Sequence, residues 1–107
     1  MLLGTDACVV MTTVDSEATA GSLAKKLVDA RLAACVQVQQ ITSFYTWQGE
    51  SRRDPEWLLV IKTSTSRFAE VQAAILADHP YDTPEVIRLP VDDGSPAYLA
   101  WIEAQTS

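Results

Sequence analysis

The chain has 107 residues, which fits one domain spanning 1–107 and leaves no room for a second. Hydrophobic residues make up 48% and charged residues 21%, with only 4 Gly and 5 Pro, proportions that exclude disordered, collagen-like and low-complexity classes. Eight Lys+Arg against 14 Asp+Glu give a formal charge of -6, and an acidic chain without a basic run argues against nucleic-acid binding, which needs cations to neutralise phosphates.

No apolar stretch approaches the ~20 residues that a membrane-spanning helix needs, so no membrane role is expected. The opening Met1-Leu2-Leu3-Gly4-Thr5-Asp6 lacks a basic segment and meets an acid at once, unlike a secretory leader. Two cysteines, Cys8 and Cys35, make no disulfide framework. A cytoplasmic location is the default expectation.

Ala7 to Thr13 is a short apolar run rich in β-branched residues and reads as a buried strand. Asp15 and Ser16 then offer N-caps to an amphipathic helix. Its stripe is Ala20, Leu23, Ala24, Leu27 and Val28, and the helix is expected to run to about Leu32. Gly21 inside it costs about 1 kcal/mol relative to Ala, a cost that close packing on a sheet would explain.

Cys35 to Gln48 is long and strand-like. Its apolar positions shift from even (Val36, Val38) to odd (Ile41, Tyr45, Trp47), which predicts either a change of face or a β-bulge. Gly49 to Pro55 reads as a polar turn and Trp57 to Thr63 as a buried strand. Ser64 to Ser66 open a second helix with Phe68, Val71, Ala74 and Ile75 on its apolar side, closed by His79-Pro80. Glu85 to Val91 reads as a fourth strand, and Ser95-Pro96 opens a short terminal helix carrying Tyr98, Leu99, Trp101 and Ile102.

The order β-α-β-β-α-β plus a C-terminal helix predicts an α+β, ferredoxin-like split β-α-β sandwich. A second strand of about 14 residues would reach ~46 Å, whereas a compact chain of this length has a radius of gyration near ~13 Å. The hairpin should therefore overhang its subunit. Phe44, Tyr45, Trp47 and Trp57 would line an oligomer interface, since exposed aromatics and free strand edges favour pairing.

Candidate chemistry is sparse. Cys8, Cys35 and His79 are soft donors suited to copper or zinc. No CxxC or HxxxH accompanies them, and Cys8 and Cys35 would stand ~10 Å apart across the sheet. Cys35 with His79 as nucleophile and base lacks a third orienting group, and an apolar setting leaves a thiol inert. No phosphate loop, nucleophile elbow or paired-carboxylate motif is present. Lys62, Tyr81 and Glu85, with Tyr45 and Trp47, could line a ligand pocket. The plainer alternatives are a lysine reaching solvent along its methylenes and a structural Glu85–Lys62 pair.

Taken together, Leu32-Ala33-Ala34-Cys35-Val36, Ser43-x-Tyr45-x-Trp47-x-Gly49, Lys62-Thr63, His79-Pro80-Tyr81-x-x-Pro84-Glu85 and Tyr98-Leu99-x-Trp101-Ile102 resemble the CutA family of divalent-cation tolerance proteins from about Val9 to Ile102. The resemblance implies a non-enzymatic, cytoplasmic homotrimer of ferredoxin-like subunits with hairpins paired across subunits. It also implies tolerance to divalent cations, copper above all. His79 is then the first candidate ligand for copper or another divalent cation, and Cys35 the second. Some copper-binding members carry a cysteine at the end of the first strand, where this chain has Met11-Thr12; Cys8 lies one alternation earlier, and the Met11 thioether is a donor suited to Cu(I). The alternative is a trimer similar to the PII signalling proteins. It would bind a small anionic ligand in clefts between subunits, with Lys62, Tyr81 and Glu85 as ligand-binding residues.

Overall fold

A computed structural model describes residues 5–107; the opening Met1–Gly4, part of the segment read as unlike a leader, lies outside the described residues. The elements are β1 (Ala7–Val14), α1 (Glu17–Asp29), β2 (Cys35–Trp47), β3 (Glu50–Ser64), α2 (Phe68–Ala77, entered through a 3-10 turn at Thr65–Arg67), β4 (Ile87–Pro90) and α3 (Pro96–Gln105). The strands form one antiparallel sheet in the order β2-β3-β1-β4, the order of the expected split β-α-β sandwich.

Register divides the side chains between two faces, because directly paired residues of antiparallel strands point the same way. Val10 pairs with Ile61, Thr12 with Leu59 and Val14 with Trp57. These residues face α1 and α2, and the core forms there from Val10, Val14, Leu59 and Ile61 against Leu23, Leu27, Val71 and Ile75. The other face carries Val9, Met11, Leu58, Val60 and, on β4, Ile87 and Leu89. The α3 helix covers the end of this face at Ala7, Lys62 and Ser64, where Ile102 is buried, while Ile87 and Leu89 remain 48% and 45% exposed, so within one chain the rest of the face is open.

Ser16 caps α1 by accepting a 3.1 Å hydrogen bond from the Thr19 N–H, which satisfies one orphan donor of the first turn. The helix stops at Asp29 and not near Leu32. Arg31 takes a left-handed φ of 60°, and the Leu32 and Arg31 amides bond back to the Leu27 and Val28 carbonyls. That is a Schellman closure, in which the residue after the turn packs back on the helix and extends its apolar pattern in sequence only. Close packing does not explain Gly21 either: a Cβ there would meet nothing within 4 Å.

The largest departure is the hairpin turn. It occupies only Gln48 and Gly49, with φ of 51° and 81°, and β3 begins at Glu50 and runs through Pro55. Two consecutive positive φ values make a tight turn whose twist matches the strands, so no seven-residue loop is needed. Proline is tolerated because β1 ends opposite Trp57; at Pro55 the strand has only β2 as neighbour and its other edge is free. Pairing runs from Cys35↔Lys62 to Trp47↔Glu50 without interruption, so the shift in β2 is a change of face, not a bulge. The resulting arm gives extents of 48 × 26 × 21 Å and a radius of gyration of 14.7 Å. The β4 strand is shorter than expected, four residues between Val86 and Val91, and closes at Pro90.

Candidate functional site

The arm and the loop after α2 enclose a cleft of about 700 Å³ at the far end of β1. The chain leaves α2 at Ala77, rounds the end of β1, and returns along the outer edge of β1 as β4. This path brings Tyr81 and Glu85 against Glu56 of β3 and Tyr45 of β2, beside Thr13 and Asp15. Glu56 pairs with Ile41 and thus points to the open face, yet it is only 9% exposed. The Tyr81 hydroxyl donates to Glu56 Oε2 at 2.6 Å, and the Tyr45 hydroxyl to Asp54 Oδ2 at 2.6 Å.

These contacts set the electrostatics. Burial, then the hydrogen bond to Glu56, pushes the Tyr81 phenol well above its ordinary range. Glu85, on the solvent-facing rim, is raised above the ordinary carboxylate value, first by burial and then by the Glu56 charge. The Tyr45 phenol is raised chiefly by its bond to Asp54. The cleft is lined by Asp15, Asp54, Glu56, Asp82 and Glu85 against Arg52 alone, whose guanidinium lies 3.7 Å from Asp54. Its lining is therefore net acidic.

His79 lies beneath this loop, and both of its ring nitrogens are engaged. Nδ1 accepts from the Tyr81 N–H at 3.2 Å, which requires the hydrogen to sit on Nε2, and Nε2 donates to the Thr13 carbonyl at 2.9 Å. The Thr12 hydroxyl is 3.3 Å from Nε2. The histidine fixes the loop to the end of β1, and it becomes a metal ligand only by releasing one of these bonds.

The other soft donors are dispersed. Cys8 pairs with Thr63 on the helix side and is fully buried, which raises its thiol pKa. Cys35 pairs with Lys62, so it shares the open face with Met11, whose partner is Val60. Cys8 and Cys35 therefore lie on opposite faces of the sheet. Among the described residues no three of His, Cys, Asp and Glu converge to hold a metal ion, so the metal set suggested by sequence does not assemble within one chain.

Lys62 is not part of the cleft. Six residues separate it from Glu56 along β3, or about 20 Å at the strand rise. Its ammonium bonds the Tyr98 hydroxyl at 3.1 Å and lies 5.3 Å from that ring, with Trp101 stacked behind. The Glu85–Lys62 pair read as an alternative is thus replaced by Tyr98. Of the aromatics assigned to an interface, Phe44, Tyr45 and Trp47 are exposed on the arm, Phe44 most at 73%, while Trp57 packs against the core. Sequence reading missed Glu56, although a lone acid between Pro55 and an apolar run was its signal.

Comparison with known proteins bears on what this frame is used for. Residues 8–105 match the family model described as CutA1 divalent ion tolerance protein. A divalent-cation tolerance protein CutA from Thermus thermophilus is 46% identical over 99 residues, covering 92% of this chain and 96% of that protein. A solved divalent cation tolerance protein from Thermus thermophilus superposes with a TM-score of 0.90 at 44% identity, over 94% of this chain and 99% of that one. CutA from Xylella fastidiosa superposes at 0.93 with 34% identity, over 96% and 100%.

Proposed function

The chain belongs to the CutA1 divalent ion tolerance family, and from that premise we propose that it serves tolerance to copper-type divalent cations as a non-enzymatic, cytoplasmic homotrimer. The observation that carries the reading is the placement of Cys35 and Met11 on the sheet face opposite α1 and α2, which α3 covers only at one end. A thiolate and a thioether suit copper, but in one chain they lie two strands apart, so a second copy laid on this face must complete the site. Free cysteines fit a reducing compartment. Names of the relatives describe tolerance and not a reaction, which supports a role without catalysis.

Titration with Cu(I), Cu(II) and Zn(II), beside Cys35→Ala, Met11→Leu and His79→Ala, tests this. Cys35→Ala is expected to weaken Cu(I) binding at least tenfold and Met11→Leu less, with His79→Ala retaining affinity. Equal affinity in Cys35→Ala would remove this assignment. A second reading, an anion held between subunits as in PII-like trimers, is supported by one feature: the Lys62 ammonium is held by a hydroxyl and a ring, with no carboxylate neutralising it among the described residues. Thermal-shift screening of nucleotides and carboxylates against Lys62→Ala separates it from the first.

A further inference from the structure

The helix layer holds a second concavity, on the side of the sheet away from the open face. The α1 helix and the end of α2 leave a pocket of about 340 Å³ between them. Its apolar floor is made by Val14 and Leu23, both buried in the core. From α1 come Ser22 and Lys26, four residues apart and so on one stripe of the helix. From the other side come Asp78, the residue that closes α2, and the ring of His79. None of the lining residues belongs to the arm or to the open face, so contact between copies through those surfaces leaves the pocket accessible.

The polar groups narrow the ligand. Lys26 Nζ and Asp78 Oδ2 meet at 2.7 Å across the gap between the helices. Their side chains are 46% and 67% exposed, and an ion pair so open to water contributes little stability, so parting it costs little. A plain anion taking Lys26 would face the Asp78 carboxylate, and a plain cation taking Asp78 would face the Lys26 ammonium; in each case repulsion offsets the attraction. A ligand with a carboxylate and an ammonium on one carbon engages both, because that spacing matches two side chains already in contact. The Ser22 hydroxyl, which makes no hydrogen bond among the described residues, is a further donor for the carboxylate. His79 adds bulk without charge, since both of its ring nitrogens are engaged elsewhere. The volume stands near the lower end of the ~300–1,000 Å³ range of ligand pockets, which suits a small aliphatic group on the apolar floor.

We propose that this pocket binds a free α-amino acid with a branched aliphatic side chain. The carboxylate meets Lys26 and Ser22, the ammonium meets Asp78, and the side chain lies on Val14 and Leu23. The site shares no residue with Cys35, Met11 or Lys62, so it neither requires nor excludes binding on the open sheet face.

The chain has a single histidine and it lines the pocket, so the imidazole resonances of His79 report occupancy directly. Titration of the full chain with L-leucine should shift them saturably, with one leucine bound per chain. Isocaproate and isopentylamine, which keep the side chain and one charge each, should bind at least tenfold more weakly. Glycine, which keeps both charges and lacks the side chain, should bind severalfold more weakly. Lys26→Met and Asp78→Asn should each weaken leucine binding at least fivefold. Ser22→Leu fills the space while leaving both charges in place, and it should abolish the shifts. All three positions are exposed, so the melting temperature should hold in each variant. Equal affinity for leucine and either singly charged analogue overturns the proposal. Undiminished affinity in Ser22→Leu or Lys26→Met overturns it too, as do His79 resonances that stay in place up to the solubility limit of leucine. A failure here leaves the effect of Cys35→Ala on copper untouched, so the two readings fall separately.

Discussion

The hydroxyl of Tyr81 donates a 2.6 Å hydrogen bond to Oε2 of Glu56, tying the loop after α2 to the base of the hairpin arm. The bond is short because its acceptor is ionised, and the elevated Tyr81 phenol keeps the donor protonated throughout the working range of the protein. Tyr81→Phe deletes the donor and leaves the Glu56 carboxylate with no partner. Hydrogen bonds to charged groups contribute roughly 1.5–3 kcal/mol, and partial solvent access at Tyr81 places the loss near the lower end. Urea denaturation should show a lower midpoint at unchanged slope. An unchanged midpoint would mean that water replaces the phenol at no cost and that the loop is held by His79 alone.

Glu85 predicts a pH dependence of definite sign. Its folded-state pKa lies above the ordinary 4.5, through burial first and the Glu56 charge second. The folded chain therefore holds this proton more tightly than the unfolded chain does, and stability falls as pH rises from 4.5 through the elevated value. Glu85→Gln removes the penalty. The variant should melt above wild type at about pH 7 and together with it below about pH 4, where both forms of the side chain are neutral. Glu85 sits on a solvent-facing rim, so screening keeps the gain below about 1 kcal/mol. A variant that melts lower than wild type at neutral pH would show Glu85 making a favourable contact instead.

Elements with a strong period were legible in the sequence, and the places it misled share a physical cause. The β1 strand, α2 and α3 follow from apolar spacing, although the expected caps make no side-chain cap bond at Ser64 or Ser95 and α2 opens at Phe68 behind Arg67, and the overhang follows from the length of β2 alone. Leu32 extended the pattern of α1 because a Schellman closure folds the next apolar residue back onto its helix. Pro55 and the charged run Arg52-Arg53-Asp54 read as a turn because isolated-strand rules assume two neighbours, whereas the arm has one. The site was half legible. Tyr81, Glu85 and Tyr45 stood out by residue type and do meet, but Glu56, which organises them, is defined by register across β2 and β3, and register is a property of the assembled sheet. Lys62 was misplaced for the same reason: proximity in the motif order says nothing about the roughly 20 Å along a strand that follows from about 3.3 Å per residue.

The open face makes a prediction about assembly that the exposed aromatics alone do not. Ile87 and Leu89 project from β4 beside Met11 and Val9, forming with Leu58 and Val60 a continuous apolar surface on strands whose opposite side is already covered by helices. Apolar area of this kind gains about 25 cal/mol per Å² when removed from water, and a second sheet of the same shape is the nearest surface able to remove it. Light scattering at micromolar concentration should therefore return about three times the 11.7 kDa chain mass. Ile87→Lys with Leu89→Lys places two charges on that surface and should yield a single chain. Leu76→Lys is the control, since Leu76 is 49% exposed, as much as Ile87, but stands on α2 at the outer surface, where a lysine should leave the mass unchanged. Wild-type protein at 11.7 kDa would show that neither the face nor the arm is covered by copies of the chain, and the shared copper site would lose its second donor with it.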